Sequence, residues 1–426
     1  MRPDLVESYL SRRAALGLAG RAAVAGGVAA TGGALAPGIA AADSTTTNTP
    51  ADTMADDTTA DGAADDSPFD YSDLAAWAPS RYGPDDQRGS LNEITPETTA
   101  RALRLVRDAR EVRTYNLGEV MWNGFPGFVT TPPRLYEQRL TIGGYTSPRF
   151  EAEGGIVQFR EPLGSNRLSL HEERFAAVAS PGHTRQYSTT YQLGVQLDGL
   201  NHVGCGEYFY NGHRGPEIDE LYGTSKLGAE HTGPIVTRGV LLDVLGVKLA
   251  TGDDSALGPP AANGAPVLAS DYRITLRDIH DAMDFGGIGR FEPGDAILFR
   301  TGWNQLLHRV DRQPDPADID RWMGSGGLPG IYLREARYLA RHRPALIGSD
   351  TWALEVLGNP VNDDGLVFPV HQDLLMRFGI RIAESVVLDG PARDRLHTFV
   401  YLVTPQLAEG ATCGNTPPAA LGAPRR

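Results

Sequence analysis

The sequence predicts an α/β layered fold, and three observations predict it. Four runs, "GPIVTRGVLLDVL", "DAILFRTGW", "ALIGSDTW" and "HTFVYLVTP", are β-branched or aromatic and bounded by Gly, Pro or Asp, the pattern of buried strands. Helical patterns, "TLRDIHDAMDF", "PGIYLREARYLARHR" and "HQDLLMRFG", lie among them. Strands alternating with helices place the helices on the faces of a sheet, and no repeat of fixed period competes with that reading.

At 426 residues the chain has room for more than one domain, but its front reads as a leader and a spacer. "SRRAALGLAG" sets Arg12 and Arg13 before an Ala/Gly-rich apolar run ending in "GIAAADS", the layout of a twin-arginine export signal over residues 1–42 with cleavage near Ala42. Gly26, Gly27, Gly32, Gly33 and Pro37 make that run too weak for a membrane anchor. Export to the periplasm, cell surface or medium is expected, with no stable membrane association after cleavage.

Residues 43–80 hold nine Asp and no Lys, Arg or Glu, which predicts a disordered acidic linker. A single folded domain is then expected over residues 81–426. Of the net charge of −14, +2 falls in the first 42 residues and −9 in the spacer, leaving −7 for that domain. A mildly acidic body argues against nucleic acid as a partner and leaves a small-molecule substrate. Two cysteines, Cys205 and Cys413, exclude a disulfide framework or a Cys-rich zinc site but leave open a single bond between them.

Past the spacer, Thr95 reads as a helix N-cap with Pro96 at the first helical position. Ala102, Leu103, Leu105 and Val106 are expected to face the core. Residues 116–170 are rich in Gly, Pro and aromatics, with short alternating runs such as "GGIVQFR", and predict strands joined by loops.

The chemistry concentrates in "LDGLNHVG" and "FPVHQDLLMRFGIRIAE". The first places Asp198 four residues before His202; the second supplies His371 and Glu384. Carboxylates and imidazoles of this kind hold a divalent ion and deliver an activated water if they converge. The alternation of Ile380, Ile382 and Glu384 on one strand face sets a carboxylate among inward-facing groups, where an unpaired charge is costly.

Eight blocks, "RYGPDDQRGSLNEITPE", "LDGLNH", "FYNG", "RGVLLDV", "LFRTGW", "GSDTWALEV", "FPVHQDLLMRFGIRIAE" and "GATCGNTPPAAL", occur in the order seen in the cyclase family, which includes bacterial kynurenine formamidases and isatin hydrolases. The chain resembles that family over roughly residues 81–422. The resemblance implies a swivelling β/β/α fold, a homodimer or homotetramer, and a site for Zn²⁺ or Mn²⁺ that hydrolyses linear or cyclic amides. Asp198 matches the metal-binding aspartate of the family motif H-x-G-T-H-x-D-x-P-x-H, and His202 its final histidine, the acid or base. His371 and Glu384 match the downstream ligands.

The two remaining histidine positions of that motif fall on Gln192 and Gln196. A carboxamide is a poorer ligand for these metals than an imidazole. A single ion held by Asp198, His371 and Glu384, with Gln196 or water beside it, stands against loss of the metal. His183, a short way before Gln192, is a secondary candidate to replace a lost ligand. The resemblance also brings Trp122, Phe125 and Phe128 over the substrate.

Each residue has a plainer role to set beside these. His202 can hydrogen-bond within a packed turn, Asp198 before Gly199 can simply turn the chain, and His371 can cap a helix. Glu384 can sit on an exposed strand edge, and the three aromatics can pack the core. Arg300, Trp303 and Asp350 end strands where α/β sites are built, with Arg300 expected to hold loops together. Two further functions remain open: a metal-free cyclase or dehydratase with His202 as base, and a non-catalytic small-molecule binder.

Overall fold

The computed structural model describes residues 66–423, apart from 68, 129–133, 135, 163–164, 166, 168, 176–189, 311 and 359–365. The leader, the spacer up to residue 65, and His183 lie outside the described residues. Among them no helix is long and apolar enough to cross a membrane.

The architecture is mixed α/β, built on a curled nine-stranded sheet. In chain order its strands are β1 (Arg113–Asn116), β2 (Gln196–Asp198), β3 (Ile235–Leu242), β4 (Ala296–Phe299), β5 (Leu346–Ser349), β6 (Arg381–Glu384), β7 (Thr398–Val403), β8 (Cys413–Gly414) and β9 (Ala419–Gly422). Across the sheet they run β1-β9-β7-β3-β4-β5-β6-β2-β8. The four central strands β3, β4, β5 and β6 are parallel, and every flanking pair is antiparallel. The two innermost parallel strands, β4 and β5, are buried along their whole length, because both of their faces are covered.

One face carries a core that includes Ile297, Ile347, Ile382 and Leu339; the opposite face carries Leu241, Leu298, Leu346 and Phe399. Helices Leu276–Gly286 and Leu333–Arg341 fall where the sequence predicts them. Thr275 caps the first, accepting from the Asp278 amide while the Asp278 carboxylate accepts from the Thr275 amide, a reciprocal arrangement that satisfies two orphan donors. A second sheet, formed by Gln138–Gly143, Ile156–Phe159 and Leu170–Phe175, occupies the Gly- and Pro-rich region.

Two expectations are corrected, and the open question of the cysteines is answered. The helix Pro96–Arg107 is capped by Thr95 as expected, but Leu103 and Leu105 are exposed. It turns the Thr98 and Ala102 face to the sheet, and periodicity alone does not choose between adjacent apolar stripes.

The acidic linker ends before residue 80. Asp66 pairs with Arg273 at 2.9 Å, the Tyr71 hydroxyl donates to Asp373 at 3.0 Å, and Trp77 is buried. Phe69, Tyr71 and Trp77 give this end the apolar area that the Asp/Thr/Ala stretch lacks.

Cys205 and Cys413 are both free. Cys413 is held in β8 opposite Asp198, while Cys205 bridges locally to Tyr208.

Candidate metal centre and cleft

The antiparallel pairing of β6 with β2 sets Glu384 opposite Gln196 and Ala383 opposite Leu197. Two segments nearly 190 positions apart in sequence thereby share one register, and Asp198 ends β2 beside them. His371 arrives from the segment before β6. Phe368, in a left-handed conformation at φ 52°, precedes Pro369, and after the turn Pro369–His371 the chain winds as a π-helix over Gln372–Arg377. The expected regular helix is therefore wide-wound, a feature often found where a side chain is re-aimed at a site. Ser385, immediately after Glu384, is also left-handed at φ 54°, so uncommon backbone flanks the cluster on both sides.

Asp198, His371 and Glu384 converge, as the sequence predicts. Each offers one ligand atom, these atoms lie within 4.8 Å of one another, and all three residues are buried. His371 Nε2 is 3.2 Å from Glu384 Oε1 and 3.8 Å from Asp198 Oδ2. Asp198 Oδ2 is buried with no hydrogen-bond partner. A buried carboxylate oxygen of this kind carries a large desolvation cost unless a cation or proton meets it.

Burial, reinforced by the charge of Glu384, pushes the Asp198 carboxyl well above its usual range. Burial opposes a charge on His371, but its hydrogen bonds to Glu355 and Glu384 and their charges outweigh that, pushing the imidazole up to about 10. The cluster without an ion therefore holds protons where a cation would sit. Three hard or borderline donors at this spacing fit one divalent ion.

Glu355 is the residue sequence reasoning missed. Fully buried, it accepts from the amides of Val370 and His371 and lies 2.5 Å from His371 Nδ1. It fixes the tautomer that leaves Nε2 free toward Asp198 and Glu384. Its signal was present, a lone carboxylate inside the apolar end of "GSDTWALEV". Arg381, buried on β6, donates to the Asp198 carbonyl at 3.3 Å and supports the strand end that carries the ligand.

Gln192 and Gln196 also reach the cluster. Gln196 Nε2 donates to Gln192 Oε1 at 2.8 Å, to Glu384 Oε2 at 2.5 Å and, weakly, to Asp198 Oδ1 at 3.5 Å. Gln192 Nε2 turns away to Thr412.

His202 lies in the turn after β2, its amide donating to the Gly199 carbonyl at 3.1 Å. It is half-buried, and among the described residues nothing hydrogen-bonds its ring. Desolvation, with the positive charges of His371 and Arg134, pushes it down to about 3, so it is neutral at pH 7.

A narrow cleft with about 10 Å³ of free space, room for roughly one water, opens from Gln196 and Glu384 outward between Phe128, Trp322 and Trp352, with Arg134 also lining it. Phe128 tilts over Trp352 at 5.0 Å. Trp122 and Phe125, expected to contact substrate, do not line the cleft: Phe125 is buried behind it against Trp322, and Trp122 stacks under Arg309 at 4.3 Å. They brace the aromatic wall while Phe128 forms it.

Arg300 has the structural role expected of it, pairing with Asp243 at 2.9 Å and Asp389 at 2.8 Å. Asp350 accepts from the amides of Thr301 and Gly302, pinning the turn after β4.

The family model described as "Putative cyclase" matches residues 115–356. The chain belongs to the cyclase family. Among solved structures, a novel cyclase is 26% identical with a TM-score of 0.60, over 80% of this cyclase-family chain and 97% of its own. Isatin hydrolase A from Ralstonia solanacearum is 15% identical, TM-score 0.45, over 77% and 98%. A protein from Bacillus stearothermophilus described as a predicted metal-dependent hydrolase is 14% identical, TM-score 0.37, over 73% and 98%. No curated protein matches. The expected family fold is thus the one observed, with glutamines standing in this cyclase-family site where the motif has two histidines.

Proposed function

We propose that the chain is a metal-dependent hydrolase of a small amide, cyclic amide or lactone. The observation that carries this reading is the buried, unpartnered Asp198 Oδ2 beside His371 Nε2 and Glu384, with the ligand atoms within 4.8 Å of one another. Asp198, His371 and Glu384 would hold one Zn²⁺ or Mn²⁺. Bound there, such an ion supplies Lewis acidity and a lowered pKa for water.

The chain's own groups do the rest. Glu355 holds His371 in the ligating tautomer, and the aromatic wall excludes water from the cleft. Neutral His202 takes a proton from the attacking water and returns it to the leaving nitrogen or oxygen. The Arg12–Arg13 leader motif supports export, and the family resemblance supports a homo-oligomer, as further parts of the proposal.

The test is turnover of formanilides, cyclic imides and lactones by protein reconstituted with Zn²⁺ or Mn²⁺. Ion binding, turnover and its loss in His202→Ala are expected. Binding of neither ion, together with unchanged activity in that variant, would refute the proposal.

One observation favours a second reading. The Gln196 amide already donates to Glu384 and Asp198, partly neutralising the cluster without an ion. A metal-free cyclase or dehydratase with His202 as base follows if activity survives exhaustive chelation.

A further inference from the structure

Residues 66–77 do more than end the spacer: they lie as a strap across the segment that follows His371. That segment is the π-helix Gln372–Arg377, a winding rarely found except as a single turn at a functional site. The strap grips it at both ends. Near its start, Asp373 is fully buried and takes the Tyr71 hydroxyl at 3.0 Å on one carboxylate oxygen and Arg337 Nε at 2.6 Å on the other. At its end, the Arg377 guanidinium lies 4.0 Å from the centre of the Phe69 ring and 4.7 Å from that of Phe378, within cation–π range of both.

The strap is itself anchored on either side of these grips. Asp66 pairs with Arg273 and accepts from the Arg334 amide at 3.0 Å, in the first turn of helix Leu333–Arg341. Trp77 is buried, its ring 6.1 Å from that of Tyr208 and its Nε1 donating to the Tyr71 carbonyl at 3.3 Å. Tyr208 and Cys205 exchange backbone hydrogen bonds in the loop after His202, and Gln372 Nε2 donates to the Gly204 carbonyl of that loop at 3.2 Å. Among the described residues none of the strap lines the cleft or joins the ligand cluster, so its influence passes through Asp373.

His371 stands two residues before Asp373. Glu355 orients the imidazole, but where the His371 backbone sits follows the π-helix, and Asp373 is the buried charge that ties that helix to its surroundings. Hydrogen bonds to a charged acceptor are among the stronger ones. Losing one lets the helix shift, and a ligand has to be held to within about 0.5 Å.

We infer that Tyr71 is a positioning residue of the metal centre: through Asp373 it holds the π-helix where His371 Nε2 faces Asp198 and Glu384. The inference rests on the three-residue cluster being the metal site proposed above, and it adds a coupling between the strap and that site.

Competition with a chromophoric chelator gives the Zn²⁺ affinity of the full chain and of Tyr71→Phe, which keeps the ring and removes only the hydroxyl. Affinity is expected to fall about fivefold or more, and the visible spectrum of the Co²⁺-loaded protein to change as the coordination geometry loosens. Asp373→Asn should bring a similar loss, and the double variant no more than either single one, because the two side chains act as a unit. Coupling is reciprocal, so Zn²⁺ should slow hydrogen exchange at residues 69–77 of the wild type, and do so less in Tyr71→Phe. If Asp373→Asn does not fold, this exchange measurement decides. Unchanged Zn²⁺ affinity and Co²⁺ spectrum in Tyr71→Phe, with strap exchange indifferent to Zn²⁺, would overturn the inference and leave the metal centre standing. A wild-type chain that binds no ion would overturn both.

Discussion

Glu355 Oε1 lies 2.5 Å from His371 Nδ1, and this contact decides which face of the imidazole meets Asp198 and Glu384. With Nδ1 committed to Glu355, only Nε2 can ligate. Glu355 itself is held by two backbone amides, so the whole arrangement is set by the fold before any ion arrives.

Glu355→Gln keeps the shape and removes the charge. Zn²⁺ or Mn²⁺ affinity should fall about 10- to 100-fold, measured by competition with a chromophoric chelator, while the far-ultraviolet circular dichroism stays unchanged. Unaltered affinity would show that Glu355 only packs.

Protons and the ion compete for the same groups. His371, pushed up to about 10, stabilises the metal-free protein fully below its ordinary value near 6.5, and this contribution is lost as pH rises toward 10. Asp198, also raised, acts in the same direction, because the folded state prefers its protonated form. Scanning fluorimetry should therefore show the melting temperature of the metal-free protein dropping between pH 6.5 and 10. The gap to the metal-loaded protein should widen over that range, and ion affinity should rise about tenfold per pH unit for each proton released. A gap independent of pH would contradict the assignment of ligands.

His202→Gln should lower kcat by about 10²- to 10⁴-fold with the bound metal unchanged by elemental analysis. The wild-type imidazole stays neutral down to about 3, so the acid limb of the pH profile belongs to the metal ligands. An acid limb that vanishes in His202→Gln would reverse that assignment.

Gln196→His restores the imidazole of the family motif beside Glu384. Tighter Zn²⁺ binding is expected, because imidazole replaces a carboxamide that now spends its N–H groups on Glu384 and Asp198. Weaker binding would mean that the glutamine amide holds the two carboxylates in ligating position.

The sequence made the parallel strands legible because both of their faces are buried, leaving unbroken runs such as "AILF" in β4. It also made Asp198, His371 and Glu384 legible, since carboxylates and imidazoles flanked by apolar residues stand out. Other features depend on long-range contacts that leave no local pattern. Glu355 acquires meaning only when β6 and its preceding turn bring His371 to it. Phe125 and Phe128, three residues apart, look alike in sequence, yet one packs behind the wall and the other forms it. The docking of residues 66–80 was hidden by the Asp-rich composition preceding it, although Phe69, Tyr71 and Trp77 were the cue. Arg134 sits in a Gly/Pro-rich stretch whose loops follow no periodicity.

The most direct test of a single-ion centre is anomalous diffraction at the zinc edge from crystals of Zn²⁺-loaded protein. One strong peak about 2.0 to 2.2 Å from oxygens of Asp198 and Glu384 and from His371 Nε2 is the predicted result. A cluster with no peak, in which the Gln196 amide still bridges Glu384 and Asp198, would contradict it.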